Sequence, residues 1–341
     1  MGNYVTATQG EALDFGDLTR KQIFEHVSSP AKTMPEYILM KEFVALPREE
    51  QQITVEVMQF LYNFTFASRG QIERYLNLKK VNTNSLDRRL QQMLNSRQVN
   101  YFYLDLEEPI SPSQPAPEDA FILYSLDFGA LPILNHFTKQ DSNVWFSTDA
   151  YRCEPQVMKY LKVVEFYLTL LEVQGPNLVA FIPHYQTSFK HLDFSVSAQF
   201  TICRDHKYGF FMLEVVGNDD LNGYWQKKLD EKISPFVTQN ENWKKYFRTM
   251  PNFLLLVDNQ EDGARAADYF FRRTELDCGD KSSQNILRML TMDQMQKGLK
   301  AARFLKFIKG EDPNKGGELK VVTNLVLSNL EKASKPAIPT P

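Results

Sequence analysis

Residues 68–104 read SRGQIERYLNLKKVNTNSLDRRLQQMLNSRQVNYFYL, and this stretch decides the fold of the first part of the chain. Apolar side chains recur in it at three- and four-residue spacing, which predicts two amphipathic helices. They are Ile72, Tyr75 and Leu76 in the first helix, and Leu86, Leu90, Met93 and Leu94 in the second. Ser68 is the expected cap of the first helix, and Asn82 or Asn84 that of the second. The final VNYFYL alternates as a β-strand does.

The flanking sequence completes this pattern. Upstream, ITVEVMQFLYNF (residues 53–64) has a helical apolar stripe of Ile53, Val57, Phe60, Leu61 and Phe64. Downstream, an acidic, proline-rich loop at 105–119 precedes AFILYSL (residues 120–126), which predicts an antiparallel partner strand. Three helices followed by a hairpin are the order of a winged helix-turn-helix, so we expect that fold over residues 50–135.

In such a module the third helix enters the major groove of DNA. Its polar side would carry Asn82, Thr83, Asn84, Ser85, Asp87, Arg88, Arg89, Gln92 and Arg97. Arginine reads guanine, asparagine or glutamine reads adenine, and basic side chains elsewhere bind phosphate, here Arg69, Lys79 and Lys80. Residues 51–104 hold seven basic and three acidic residues, a net charge of +4 in a chain of net charge −3. We therefore expect double-stranded DNA as the partner, with a solvated helix face or a protein-binding surface as the alternative.

The pattern of apolar residues over 150–275 predicts an α/β domain with the element order α, β, β, β, α, β, α. Asp193 lies early in one predicted strand and Glu214 late in the next, so the two carboxylates can meet at one sheet edge. A pair of this kind can hold Mg²⁺ for phosphoryl transfer, with Glu165 as a third ligand. The alternative is that Asp193 and Glu214 are ordinary polar residues at strand ends.

A winged helix followed by such a module resembles the replication-relaxation family of plasmid and integrative-element proteins. The second module of that family is similar to restriction-endonuclease-like nucleases of the PD-(D/E)xK type. The resemblance covers about residues 50–275 and lies in FLYNFTFASRGQIERYLNL, SLDRRLQQMLNSRQVNYF, YSLDFGALPIL, HLDF and FFMLEVVGND. In YSLDFGALPIL, Asp127 stands where the family usually has threonine.

The resemblance implies a DNA-binding accessory protein of plasmid or mobile-element replication or conjugative transfer. It places Asp193 and Glu214 at the acidic positions of the nuclease motif, but Val216 stands where the motif has lysine. Unless Lys190, Lys227 or Lys228 replaces that lysine, we expect no cleavage and no cofactor. If the module is active, Asp193 and Glu214 would bind Mg²⁺. The alternatives are an active Mg²⁺-dependent endonuclease or nickase, and a non-enzymatic protein-interaction scaffold.

The flanks complete the domain plan. Residues 1–49 are interpreted as an N-terminal arm, and residues 334–341 as a disordered, proline-rich tail. Residues 280–333 are expected to form C-terminal helices, capped by Ser282 or Ser283. The apolar stripe behind this prediction is Ile286, Leu290, Met295 and Leu299.

Composition narrows the function classes further. The sequence has no run of about 18 apolar residues, so we expect no membrane span and a cytoplasmic protein. Its three cysteines, Cys153, Cys203 and Cys278, lack the spacing of a zinc site. Because no phosphate-binding glycine loop is present, nucleotide hydrolysis through such a loop is not expected. Further expected partners are replication or transfer proteins and a second copy of the chain.

Overall fold

The computed structural model divides the chain into two compact units, residues 1–168 and 169–341. It describes residues 23–26, 34–104, 121–137, 154–189, 192–238, 247, 250–277, 280–308 and 317–322. The acidic loop at 105–119 and the tail at 334–341 lie outside the described residues. The described part is a mixed α and β structure, and it contains no helix that is both long and apolar enough to cross a membrane.

The first unit combines a helical cluster with a four-stranded sheet. Its elements are β1 (Ile23–His26), α1 (Glu36–Ala45), α2 (Arg48–Phe64), β2 (Ala67–Ser68), α3 (Arg69–Leu78), α4 (Leu86–Asn95), β3 (Val99–Leu104), β4 (Phe121–Leu126), a 3-10 turn (Phe128–Ala130), α5 (Leu131–Phe137) and α6 (Glu154–Gln174), which contains the boundary between the units. The strands pair antiparallel in the order β1, β3, β4, β2. Strand β1 comes from the segment interpreted as an arm.

The apolar stripes predicted for α2, α3 and α4 are confirmed. All their members are buried, from Ile53 in α2 to Leu94 in α4. The cap of α3 is confirmed as well, since Ser68 Oγ accepts from the Gln71 backbone N–H and Gln71 Oε1 accepts from the Ser68 backbone N–H. The expected cap of α4 at Asn82 or Asn84 is wrong, because Ser85 takes that position. The Ser68–Gln71 pair satisfies backbone groups that a helix end leaves without partners, whereas the Ser85 side chain makes no capping hydrogen bond.

The second unit is built on a seven-stranded mixed sheet. Its elements are β5 (Leu178–Pro183), β6 (Gln186–Phe189), β7 (Leu192–Ser195), β8 (Ala198–Arg204), β9 (Lys207–Val216), α7 (Tyr224–Lys228), a π-helical turn (Leu229–Ile233), α8 (Ser234–Thr238), β10 (Asn252–Val257), α9 (Gln260–Thr274), α10 (Lys281–Ile286), β11 (Leu287–Thr291), α11 (Met292–Gln296), β12 (Phe304–Ile308) and β13 (Glu318–Val322). The sheet order is β13, β12, β11, β10, β9, β8, β5, and only β9, β10 and β11 run parallel among these strands. Strands β6 and β7 form a separate hairpin.

The core of the second unit lies between this sheet and its helices. Strand β10 contributes Phe253 and Leu255, and α9 contributes Phe270. Trp225 of α7 is fully buried, and its indole N–H donates to the Ala266 carbonyl at 3.1 Å. Burial of large aromatic side chains, with their polar atoms hydrogen-bonded, stabilises this core.

The C-terminal helices expected over 280–333 are wrong for most of the described part of that range, residues 280–308 and 317–322. The described residues form two short helices and the strands β11, β12 and β13, which extend the sheet. Leu290 lies in β11 and Leu299 lies in an irregular segment. The spacing of Ile286, Leu290, Met295 and Leu299 fits a helix. Apolar spacing alone does not distinguish a helix from a short buried strand.

The segment HLDFSVSAQFTI (residues 191–202) alternates between apolar and polar side chains, as a single strand would. The described part is split between β7 and β8 at Val196 and Ser197. At the break, Val196 N–H donates to the Tyr185 carbonyl and His184 N–H donates to the Ser197 carbonyl. The chain therefore changes strand partners there, and Ser197 becomes available to contact β9.

Candidate nucleic-acid interface and acidic pair

Helix α4 presents one apolar and one polar side. Leu86, Leu90 and Met93 are buried against the rest of the first unit. The opposite side is exposed and carries Asp87, Arg88, Gln91, Gln92 and Asn95. The exposed set is rich in the amide and guanidinium groups that read base edges, so its chemistry suits the major groove.

Arg88 is the arginine on the exposed side of α4. Its side chain is 65% exposed, and Nη2 donates to Glu50 Oε1 at the start of α2. The Arg88 side chain faces solvent, whereas the Glu50 side chain is only 9% exposed, so the ion pair lies at the edge of the core and loss of Arg88 would leave a largely buried carboxylate without this cation. An incoming phosphate or guanine can replace Glu50 as its acceptor.

Arg89 does not lie on the exposed side as expected. It is 5% exposed, and its guanidinium donates to Thr54 Oγ1 at 2.7 Å, Gln92 Oε1 at 3.1 Å and Gln98 Oε1 at 3.1 Å. Desolvation lowers the pKa of the Arg89 guanidinium, and the negative charges of Glu50 and Glu42 oppose that shift. A base pair cannot reach a guanidinium held in this way, so Arg89 is removed from the set of readers.

The turn before α4 holds the next four expected readers. Asn82 and Asn84 are exposed, while Thr83 and Ser85 are half-buried. The Asn84 backbone N–H donates to Asn82 Oδ1 at 3.0 Å, and Asn82 Nδ2 donates to Glu49 Oε2 at 3.4 Å. The Asn82 side chain therefore shapes the turn, and Asn84 is the better placed of the two asparagines to face a ligand.

The remaining basic residues differ in their exposure. Lys80 is exposed, and exposed Lys79 has its ammonium 5.7 Å from the Tyr75 ring centre. Arg69 is only 17% exposed and donates to both Glu73 and Asp87. Arg97 is 37% exposed, and its Nε donates to Asp127 Oδ2 at 2.8 Å. Lys79 and Lys80 are thus the expected phosphate ligands that face solvent most openly.

Several acidic residues outside the window 51–104 neutralise arginines inside it. Glu50 pairs with Arg88, Asp127 with Arg97, and buried Glu165 with buried Arg74. The net charge of +4 counted along the sequence is therefore larger than the charge that the folded surface presents. Sequence reasoning missed these partners because they come from α2, α6 and the segment after β4.

Glu165 is held inside the first unit and has a structural role there. Besides Arg74, its carboxylate accepts from Gln71 Nε2 at 3.3 Å. Close by in the same unit, the Tyr75 hydroxyl donates to Glu56 Oε2 at 2.8 Å, and burial together with the Glu56 charge raises the pKa of Tyr75. Polar groups of α3 are therefore satisfied by α2 and α6, which fixes the position of α3.

The two carboxylates expected to form an acidic pair in the second unit differ in their exposure to solvent. Glu214 is 2% exposed, its Oε1 lies 2.6 Å from Lys228 Nζ, and its Oε2 accepts from the Ser197 backbone N–H at 2.9 Å. Asp193 is exposed in β7. Lys228 comes from α7, so one of the three lysines considered as replacements does reach Glu214; Lys190 lies outside the described residues.

Ser195 and Ser197 connect this region to the helices and to β9. Lys232 of the π-helical turn donates to Ser195 Oγ at 3.4 Å, and Ser197 Oγ accepts from the Val215 backbone N–H at 3.0 Å. Mg²⁺ needs several oxygen ligands. Since both Glu214 oxygens are engaged, and the described residues hold no group of three or more acidic, His or Cys side chains suited to a metal, these residues do not fit a magnesium site.

Comparison of the chain with protein-family models, with curated proteins and with solved structures gives no match.

Proposed function

We propose that the first unit binds duplex DNA through α4. The observation that carries this proposal is the two-sided α4, which is buried along one stripe and exposes Arg88, Gln91 and Gln92 along the other. The order α2, β2, α3, α4, β3, β4, with β2 paired to β4, supports a winged helix-turn-helix in which α4 is the recognition helix.

The geometry revises the set of contacts. Arg88, Gln92 and Asn84 are the proposed base readers, and Lys79 and Lys80 the proposed phosphate ligands. Arg89 is excluded by burial, and Arg69 and Arg97 are engaged with carboxylates. On binding, Arg88 would exchange Glu50 for a DNA acceptor, so binding would cost one half-buried ion pair and leave Glu50 with the nearby charge of buried Arg89.

For the whole chain we propose an accessory role in the replication or conjugative transfer of a plasmid or mobile element, in the cytoplasm. The second unit would be a restriction-endonuclease-like module that docks replication or transfer proteins without cleaving DNA. Lys228 does reach Glu214, as a replacing lysine would, but three features support a non-cleaving module: Asp193 is exposed while Glu214 is buried, the Lys228 ammonium is paired with Glu214, and the second Glu214 oxygen accepts from the Ser197 backbone N–H, which makes Glu214 a poor metal ligand.

The binding experiment uses the full chain and a pool of random duplexes, followed by fluorescence anisotropy on the selected duplex. Arg88→Ala should weaken the selected complex about tenfold, since one bidentate base contact is worth about 1–3 kcal/mol. Arg272→Ala is the matched control, because Arg272 is 67% exposed and also pairs with one carboxylate, that of Asp268. Absence of duplex binding at low salt, or equal effects of the two substitutions, would overturn the proposal.

A plasmid incubation with Mg²⁺ or Mn²⁺ separates the alternatives. Intact plasmid agrees with the non-cleaving module. Cleavage that is lost in Asp193→Ala would instead establish an active nuclease. A protein scaffold would bind no duplex, and would capture a replication protein equally well with and without the Arg88 side chain.

A further inference from the structure

Arg89 is a buried cation with incomplete compensation. Its three acceptors, on Thr54, Gln92 and Gln98, are all uncharged side-chain oxygens. A guanidinium has five N–H donors, so within the described residues two donors on the terminal nitrogens are left after these bonds. Glu50 and Glu42 supply negative charge nearby but accept none of these three hydrogen bonds, so an anion in contact with the guanidinium would add hydrogen bonds that a buried cation needs.

Arg89 is one of the residues that line a cavity of about 400 Å³. One wall is apolar and comes from α1 and its flanks, with Met34, Phe43 and Leu46. The other wall is polar and comes from the end of α4, with Arg89 and Asn95 among its residues. The volume lies within the range of small-molecule sites, and the division into an apolar and a polar wall is typical of them.

We propose that this cavity binds a small organic anion, a carboxylate on a short apolar body. The carboxylate would accept from the Arg89 guanidinium and the Asn95 amide, because the planar guanidinium matches the two oxygens of a carboxylate. The apolar body would lie on Phe43 and Leu46. Glu42 also borders the cavity, and its negative charge opposes any anion there, a dianion such as phosphate more strongly than a monocarboxylate, so the carboxylate would lie at the Arg89 and Asn95 end.

The site is independent of the proposed DNA binding, although Gln92 and Asn95 belong both to the cavity lining and to the exposed side of α4. Gln92 accepts from Arg89, borders the cavity and belongs to the exposed side of α4. Ligand binding is therefore expected whether or not the protein binds DNA, and failure of one proposal leaves the other standing.

The test titrates the full chain with benzoate and hexanoate, followed by isothermal titration calorimetry and by saturation-transfer NMR. Benzamide and hexanamide are the matched uncharged probes. We expect each carboxylate to bind at least tenfold more tightly than its amide. Equal affinities, or no binding of either carboxylate at about 10 mM, a concentration at which even a weak Kd is detected, would overturn the proposal.

Two substitutions in α1 locate the site. Ala45 borders the cavity and is exposed, so Ala45→Phe should fill the cavity without disturbing the core and should weaken carboxylate binding at least tenfold. Val44→Phe is the control, because Val44 is exposed and lies outside the cavity lining. Arg89→Lys keeps the charge but loses the planar donor pair, and should weaken binding if the variant folds. Unchanged binding in Ala45→Phe would place the ligand elsewhere and refute the site.

Discussion

The ammonium nitrogen of Lys228 lies 2.6 Å from the carboxylate oxygen Oε1 of Glu214. The pair joins α7 to β9, and the second Glu214 oxygen fixes the strand break at Ser197 through its backbone N–H. Both side chains are largely removed from solvent, 11% and 2% exposed. Glu214, which was expected to be a metal ligand, thus connects α7 to β9 and to the strand break.

Removing one member of this pair should destabilise the second unit strongly. We expect Lys228→Met or Glu214→Gln alone to lower the free energy of unfolding by about 3–5 kcal/mol, because each leaves a buried group without its partner. The double variant should lose less than the sum of the two. Urea denaturation of the four proteins measures this cycle, and single variants within about 0.5 kcal/mol of the parent would contradict the structural role.

Gly129 should tolerate no side chain. A Cβ placed there would lie 2.6 Å from the Ser96 carbonyl oxygen and 2.7 Å from that of Arg97, to which the Gly129 N–H donates. We expect Gly129→Ala to cost about 1–3 kcal/mol, since backbone atoms cannot move aside cheaply. Gly175→Ala is the control, because open space surrounds a Cβ there, and it should leave the thermal midpoint nearly unchanged. Similar midpoints for both variants would be inconsistent with the close approach.

Substitutions of the neighbouring arginines Arg88 and Arg89 in α4 should lower the free energy of unfolding by different amounts. Arg89→Met leaves the acceptors on Thr54 and Gln98 buried without their donor, so it should cost about 1–3 kcal/mol in urea denaturation. Arg88→Ala should cost less, about 1 kcal/mol, because Arg88 is 65% exposed and the largely buried Glu50 carboxylate keeps the nearby charge of Arg89. The reverse order of the two losses would show that the assignment of buried and exposed arginine is wrong.

Tyr167 should make stability depend on alkaline pH. Burial, with a smaller effect of the Glu56 charge, raises the pKa of Tyr167 to about 12, whereas an unfolded chain releases that proton near pH 10. The contribution of Tyr167 is therefore complete below about pH 10 and is lost as pH rises through about 12. Between these values the free energy of unfolding should fall less steeply in Tyr167→Phe than in the parent.

The control for this prediction is Tyr208→Phe, which removes a hydroxyl from a side chain that is 59% exposed. It should leave the slope of stability against pH as in the parent. If Tyr167→Phe and Tyr208→Phe give the same slope, desolvation of Tyr167 is not the cause of the alkaline loss.

The helices of the first unit were predictable because their periodicity is long and regular. Three stripes and the Ser68 cap are local properties, and local sequence specifies them. The electrostatics were not predictable in the same way. Glu50, Asp127 and Glu165 neutralise arginines far from them in sequence, so a charge count over a continuous window includes the cations and leaves out their partners.

The acidic pair shows a similar limit. The spacing of Asp193 and Glu214 was compatible with a shared site, and the lysines of α7 were equally compatible with reaching it. Which lysine does so depends on the rotation of α7 on the sheet, which sequence spacing does not specify. The structure brings Lys228 to Glu214, and it gives Lys227 a different acidic neighbour, Glu231.

The position of β11 has a consequence for how the chain must be made. Strand β10 lies between β9 and β11, and its partner β11 is contributed by residues 287–291. A chain that stops at residue 275 would leave one edge of an apolar strand open, and open edges of this kind recruit other chains. During synthesis the second unit would likewise stay incomplete until β11 has left the ribosome. Shortened versions that end before β11 should therefore aggregate, whatever activity their remaining residues carry.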